Sequence, residues 1–308
     1  MGTFVIGNPA AGRGQVGRQW EDLLALLAGH GLDPEGRLTA ARGHAVELAR
    51  HARRDGWDLV VAAGGDGTLH EVVNGLLAEP AGGAPPVLGM VPAGSGCDYA
   101  RCFDVPAGLG AVARLVSATP PRPVDVGVVR CRREGADHDR HFLNIAEVGI
   151  GAEVARRAAR LPRALGTAVY LAAFWPALAR HTPHHARIRP GGHPERAGAL
   201  RDYEGPLTNL VVAIGSHFGG GMQVAPGADP SDGLFDVQVQ FGSKLDYTLA
   251  LPRVFRGTHL PHPRVREERA VALEVECRPP AMVEADGEFL GTTPASFVLH
   301  PGALYLKV

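Results

Sequence analysis

The apolar positions of this chain change their period part-way along it. Up to Pro120, short apolar runs alternate with stretches in which apolar residues recur at helical spacing. Thr3–Ile6 reads as a strand; Trp20, Leu23, Leu24 and Leu27 then share one face of a helix, and Ala45, Leu48, Ala49 and Ala52 mark a second. Asp58–Ala62 and Val87–Val91 are further strand runs, with Leu69, Val72, Val73 and Leu76 at i, i+3, i+4, i+7 between them. Strands alternating with helices predict a parallel sheet flanked by helices. Beyond Pro120-Pro121-Arg122-Pro123 the period becomes two, in Val124, Val126 and Val128, in Phe235, Val237 and Val239, and in Val271, Leu273, Val275 and Cys277. That patterning predicts antiparallel strands with one buried face. The expected fold class is α/β: an N-terminal parallel-sheet domain over 1–122, then a mainly antiparallel β-sandwich domain over 123–301. Leu304, Leu306 and Val308 read as a final strand, and 302–308 can complete the first domain.

Two segments interrupt the β half. Glu153–His181 reads as helical, with Arg156, Arg157, Arg160 and Arg163 ahead of an aromatic stretch holding Tyr170, Phe174 and Trp175. Arg189–Glu204, rich in Gly, Pro and charge, reads as a surface loop or hairpin tip. The longest apolar stretch, Ala164–Leu178, is too short to span a bilayer and contains Pro176. At 45% hydrophobic and 20% charged over 308 residues, the composition is globular, with room for two cores. The net charge of −1 leaves no basic block, and lysine occurs at 244 and 307 alone, so nucleic acid is not an expected partner. The cysteines at 97, 102, 131 and 277 fit neither a secreted disulfide framework nor a metal spacing and read as reduced thiols. No signal-type segment opens the sequence, so a cytoplasmic location is expected, with any lipid handling peripheral.

Candidate chemistry sits in glycine turns that follow strands. Gly64–Gly75 reads GGDGTLHEVVNG and carries a strand through a glycine turn into an amphipathic helix. Glycines permit close backbone approach, and the first helical amides lack intrahelical partners, which makes a phosphate cradle. Asp66 places a carboxylate there, either beside a cation or a proton in transfer or as an ordinary helix cap. Asn8–Gly14, NPAAGRG, follows the first strand and matches neither a Walker A loop nor GxGxxG. Its Arg13 is either a phosphate-reaching fork or a solvated loop residue. Pro92–Arg101, PAGSGCDYAR, follows the Val87–Val91 strand and offers the Ser95 hydroxyl, the Asp98 carboxylate and the Arg101 charge, with Asp98 also a natural helix cap. Three such turns after successive parallel strands converge on one crevice.

The ordered set NPAAGRG, GGDGTLHEVVNG and PAGSGCDYAR resembles the diacylglycerol kinase catalytic domain family, which includes bacterial lipid kinases and sphingosine kinases. The resemblance extends through Asn144–Glu153 (NIAEVGIGAE), Gly215–Gly221, Ala228–Asp236 and Asp286-Gly287-Glu288, and so covers nearly the whole chain. It implies that ATP is held by Asn8, Pro9, Ala10, Ala11, Gly12, Arg13, Thr39, Gly64, Gly65, Asp66, Gly67, Thr68, Leu69, His70, Glu71, Gly94 and Ser95, making the first domain nucleotide-binding. It also implies Mg²⁺ on Asp229, Asp232 and the Leu234 carbonyl, Glu288 as general base, Asp66 as the acid near the phosphates, and Asp98 and Asp125 in a network linking base and metal. Ser95, Cys97 and His70 stand where threonine, asparagine and asparagine are usual, and Ala11 and Arg13 where serine and lysine are frequent. Cys97 cannot repeat an amide's hydrogen bonds, which puts the anchoring of its turn in question.

The implied activity is transfer of the γ-phosphate of ATP to a lipid hydroxyl, with Glu288 taking the proton and Asp66 arranging Mg-ATP; the two acids can exchange roles. Glu284 reads as a solvated acid or one standing behind the base. The acceptor stays open among diacylglycerol, a sphingoid base and other lipid alcohols. Expected partners are the lipid substrate, a membrane surface met peripherally through Glu153–His181, and a second copy in a homodimer; the same segment can equally be an ordinary helix packed on the sheet. Rival readings are an NAD kinase-like or sugar-phosphate kinase, since GGDGT occurs there too, and a nucleotide-binding regulator without catalysis.

Overall fold

Strand β1 (Gly2–Gly7) pairs in parallel with β2 (Asp33–Leu38) on one side and β3 (Leu59–Gly64) on the other. β3 continues in parallel to β4 (Val87–Pro92), and β4 takes the chain's last residues, Leu306 opposite Leu88. Every residue of β3 is buried, as expected of a strand covered on both faces. One face, through Val5, Val61 and Val91, packs under α2 (Trp20–Gly29) and α6 (Leu109–Ala118); α3 (His44–Arg54) and α4 (Asp66–Leu76) pack on each other elsewhere. Because β1 has its sequence neighbour β2 on one side and β3 on the other, strand order reverses at β1. In open α/β sheets that point, outside the carboxyl ends of the strands, is where ligands bind.

The computed structural model describes residues 2–78, 83–94, 96–106, 108–162, 166, 168–191 and 200–308. It divides into two compact units, Met1–Val124 with Gly302–Val308, and Asp125–Pro301. The strand β2 was not among the predicted ones. Its sequence, DPEGRL, has no apolar alternation because it is an edge strand with mostly exposed residues.

The second unit is antiparallel, as its period-two patterning predicts. One layer runs β12 (Val265–Ala270), β11 (Phe235–Gln240), β10 (Asn209–Ala213), β7 (Ile145–Gly149), β14 (Met282–Ala285) and β15 (Glu288–Lys307). The other holds β8 (His184–Pro190), β9 (Tyr203–Leu207) and β13 (Ala272–Arg278), with β5 (Arg122–Arg133) and β6 (Ala136–Phe142); β13 and β5 join through β15. Phe142 lies between the layers, stacked on Phe235 at 5.8 Å and edge-on to Phe297 at 6.5 Å. Helices α7 (Ile150–Ala158), α8 (Ala168–Arg180) and α9 (Lys244–Val254) complete the unit. Of the expected loop Arg189–Glu204, the two ends are strand, in β8 and β9, while 192–199 lie outside the described residues. Arg163, Ala164 and Leu165 of the expected helical segment also lie outside them. All four cysteines are free. Among the described residues no helix is long and apolar enough to cross a membrane.

Candidate active site

The glycine turns of the first unit touch one another. Gly64 ends β3, Gly65 alone forms the turn, and Asp66 opens α4. A Cβ on Gly94, in the turn after β4, would lie 2.7 Å from the Gly65 Cα, and one on Gly12 would lie 2.8 Å from the Ala93 carbonyl oxygen. The glycines at 65, 94 and 12 therefore let three turns close on each other. Gly64 instead makes room for Thr68, whose hydroxyl would be 2.4 Å from an added Cβ. Gly67 faces open space, so the first turn of α4 is accessible to a ligand. Gly12, Arg13 and Gly14 all take positive φ, at 59°, 57° and 84°, and break the start of helix α1 (Ala11–Arg18) into a loop over the end of β1.

Polar side chains lock this arrangement. Asn8 donates its amide to the Thr68 hydroxyl at 3.2 Å and accepts from Ala10 N at 3.1 Å. The Asp66 carboxylate accepts Asp98 N at 3.1 Å and Tyr99 N at 3.2 Å, so it ties the second turn to α5 (Asp98–Arg101) in the third. Glu71 accepts Gly43 N at 2.9 Å and Ala45 N at 3.3 Å at the start of α3. Thr39, just past β2, donates its backbone N to Gly7 O at 2.8 Å. Arg13 and Ala10 are exposed, and Pro9 and Ala11 are half-buried. Leu69 and His70 point inward, His70 beside Asn74, so their side chains face the core rather than the crevice. Ser95 lies outside the described residues.

Cys97 closes its own turn: Sγ accepts Gly94 N at 3.0 Å and donates to Gly94 O at 3.5 Å. Burial, with Asp66 and Asp98 nearby, pushes the thiol up to about 11, which keeps that proton in place. The turn is therefore anchored without an asparagine amide, although Cys97 is held at φ 50°.

In the second unit, the segment expected to hold Mg²⁺ is a tight loop. Asp229 accepts Ser231 N and Oγ at 3.0 and 2.9 Å, Asp232 accepts Leu234 N at 3.0 Å, and Asp125 accepts Gly233 N at 2.7 Å. Arg269 meets Asp232 at 3.1 Å and Asp236 at 3.5 Å, and the other Asp236 oxygen is buried without a hydrogen-bond partner. Two carboxylates and a carbonyl are donor types that fit a hard cation. Among the described residues no three His, Cys, Asp or Glu side chains are gathered to hold a metal, so further ligands would have to be water or carbonyl oxygen.

Asp286 and Gly287, at φ 50° and 83°, form the two-residue turn between β14 and β15 and deliver Glu288 as the first residue of β15. The Asp286 carboxylate accepts Leu143 N and Asn144 N at 3.1 and 3.0 Å, which fixes the turn onto the start of β7. Glu284 is not solvated: it is 0% exposed, and its Oε2 accepts Gly287 N at 2.7 Å. Opposite it on β7 stands Glu147, an acid inside NIAEVGIGAE to which the sequence alone assigns no role.

Beside this turn lies an apolar cavity of about 150 Å³, walled by Tyr170 and Phe174 of α8, Tyr247 and Leu251 of α9, and Ile150 of α7, with Glu147 at its edge. Tyr170 also approaches the turn, its hydroxyl 3.4 Å from where a Cβ on Gly287 would lie. The two wall helices are apolar on the outside too. Leu171 and Trp175 are exposed on α8, and Leu245 and Leu249 on α9. A helix that only covers a core presents polar residues to solvent. Arg156 and Arg157 are paired with Glu153 at 3.0 and 2.6 Å.

A phosphate-type crevice at the switch point of a parallel sheet precedes, along the chain, a β-sandwich with a DGE turn. Residues 2–129 match the diacylglycerol kinase catalytic domain, and 144–308 match the YegS C-terminal NAD kinase beta sandwich-like domain; the chain belongs to the diacylglycerol kinase catalytic domain family. Proteins named diacylglycerol kinase from Staphylococcus aureus strains bovine RF122 / ET3-1 and MRSA252 are each 28% identical over 296 residues, covering 96% of this chain and 88% of theirs. A crystal structure of a diacylglycerol kinase from Bacillus anthracis str. Sterne superposes with a TM-score of 0.72 at 21% identity, covering 99% of this chain and 96% of that one, a likeness of fold.

Proposed function

We propose that this chain is an ATP-dependent lipid kinase, which transfers the γ-phosphate of Mg-ATP to the hydroxyl of a lipid, with diacylglycerol as the favoured acceptor. The observation that carries the proposal is Tyr170, which lines the apolar cavity and also stands against the turn that presents Glu288. An acyl chain in the cavity would thus leave its polar end near a carboxylate able to take a proton.

In this reading the open first turn of α4, with Asn8 and the turn at Gly94 around it, binds the phosphates of ATP through backbone N–H groups. Asp66 holds two turns in register, and Glu288 accepts the proton from the lipid hydroxyl as it attacks. Mg²⁺, when bound, supplies positive charge against the phosphate oxygens; Asp229, Asp232 and the Leu234 carbonyl would hold the ion assigned to the second unit. The apolar outer faces of α8 and α9, with Arg180, Arg253 and Arg256 at their ends, suit peripheral contact with an anionic membrane on the cytoplasmic side.

The test is transfer of labelled γ-phosphate from Mg-ATP to a panel of micelle-dispersed lipids, with NAD as soluble control and Asp66→Asn alongside. Label in one lipid, absent with the variant, is the expected result. Label in NAD instead would replace the acceptor class, and label in nothing while ATP still binds would leave a nucleotide-binding regulator.

A further inference from the structure

Two buried glutamates remain without a role in that mechanism. Glu147 on β7 and Glu284 on β14 are directly opposed in an antiparallel pair, 137 positions apart in the chain by their numbers. They are 7% and 0% exposed. Like charges facing each other across strands repel, and burial removes the water that would screen them. Yet the fold makes room for both. Gly151 at the start of α7 has no side chain where one would meet the Glu147 carboxyl, a Cβ there lying 2.2 Å from Oε2. Asn209 on β10 donates to Glu147 Oε1 at 2.7 Å and accepts Gly151 N at 3.0 Å, which fixes the amide's orientation. Glu284 gives Oε2 to Gly287 N, while its Oε1 is buried with no hydrogen-bond partner.

We infer that Glu147 and Glu284 share one proton and act as a positioning pair, which holds the Asp286-Gly287 turn and so sets the place of Glu288; this rests on the kinase reading above. A proton between the two carboxyls removes the repulsion, gives the spare Glu284 oxygen a partner and leaves Oε2 to receive Gly287 N. Loss of that proton would put two charges in a dry site and push Glu284 away from the turn. The groups around the pair favour a retained proton. Glu284 meets Glu147 from β7, Asp286 from the turn and Glu288 from β15, all acids. Glu147 meets Tyr247 from α9, neutral Asn209 from β10 and Gly151 from α7, and among the described residues no cation is a cause of its shift. Burial raises both carboxyls, and the Glu147 charge raises Glu284 further.

The pair is tested on the full-length protein by titrating carboxyl-¹³C glutamate by NMR, in the wild type, Glu147→Gln and Glu284→Gln. The wild type should show two coupled steps, one near neutral pH, and in each variant the surviving carboxyl should titrate lower by at least about one pH unit. Two independent steps in the ordinary glutamate range would overturn the sharing of a proton. The positioning role is read from the pH dependence of kcat. The wild type should lose kcat on an alkaline limb that both variants lack, with Glu284→Gln lowering kcat about tenfold and Glu147→Gln by less, neither moving KM for ATP. A limb that persists in both variants would overturn that role. If no lipid is phosphorylated, the kinase reading and the positioning role fall together, while the carbon titration still decides the pair.

Discussion

The acids of the first unit face backbone amides, whereas the central acids of the second face each other. Asp66 collects the amides of Asp98 and Tyr99, and Glu71 those of Gly43 and Ala45, so each carboxylate joins segments distant in the chain. Glu147 and Glu284 oppose one another across β7 and β14, with one amide each from Asn209 and Gly287. The first arrangement fixes geometry through donors that cannot titrate. The second fixes it through a proton that can be lost. A site for a fixed polyanion suits the first, and a site where a proton must move suits the second.

That contrast can be broken most strongly through stability against pH. Burial pushes Glu147 up to about 7 from the ordinary 4.5, so the folded protein keeps a proton that the unfolded chain has already released in this window. The folded state then binds more protons than the unfolded one, and stability falls as pH rises. The contribution is complete below 4.5 and lost by about 7, a change on the order of 3 kcal/mol. Urea unfolding of the wild type and Glu147→Gln across this range should show the slope in the wild type and a flatter profile in the variant. Equal slopes would mean that Glu147 does not hold the proton.

A smaller effect belongs to the first unit. Cys97 sits at φ 50°, a region that asparagine tolerates better than other side chains with a Cβ. An asparagine amide can also accept from Gly94 N and donate to Gly94 O as the thiol does. Cys97→Asn should therefore stabilise the protein by up to about 1 kcal/mol, seen as a raised Tm. A lowered Tm would show that the thiol's fit outweighs the backbone cost.

What the sequence discloses follows the range of the interactions involved. The strand–turn–helix at Gly64–Asp66 is local, a buried apolar run, one glycine and an amphipathic repeat, and the fold shows it there. The Asp286-Gly287 turn is equally local, but the alternation of residues around it runs straight through it, and it enters only as part of the DGE resemblance. The edge strand β2 escapes because it buries little. Glu284 stays ambiguous for a different reason. Its alternation with Asp286 and Glu288 leaves open a solvated acid or one standing behind the base; the turn twists the chain between them, and the burial that excludes the first depends on register with β7. The cavity is legible only in part: Tyr170 and Phe174 belong to the segment whose apolar face reads as lining a chain pocket, while α9 and the loops that complete the wall lie far off in sequence. His70 shows the same limit in the first unit: its place in the GGDGTLHEVVNG run implies ligand contact, while its place on α4 turns it into the core.

In the proposed kinase the labour is divided: nucleotide is held by the amide-lined turns of the first unit, and the proton is taken by Glu288 of the second. Calorimetric ATP affinity and lipid-phosphorylation rate, measured together for Glu288→Gln, test it most directly. The expected result is ATP affinity within about twofold of the wild type and turnover lower by about a hundredfold or more. ATP affinity falling in step with turnover, or near-normal turnover, would contradict it.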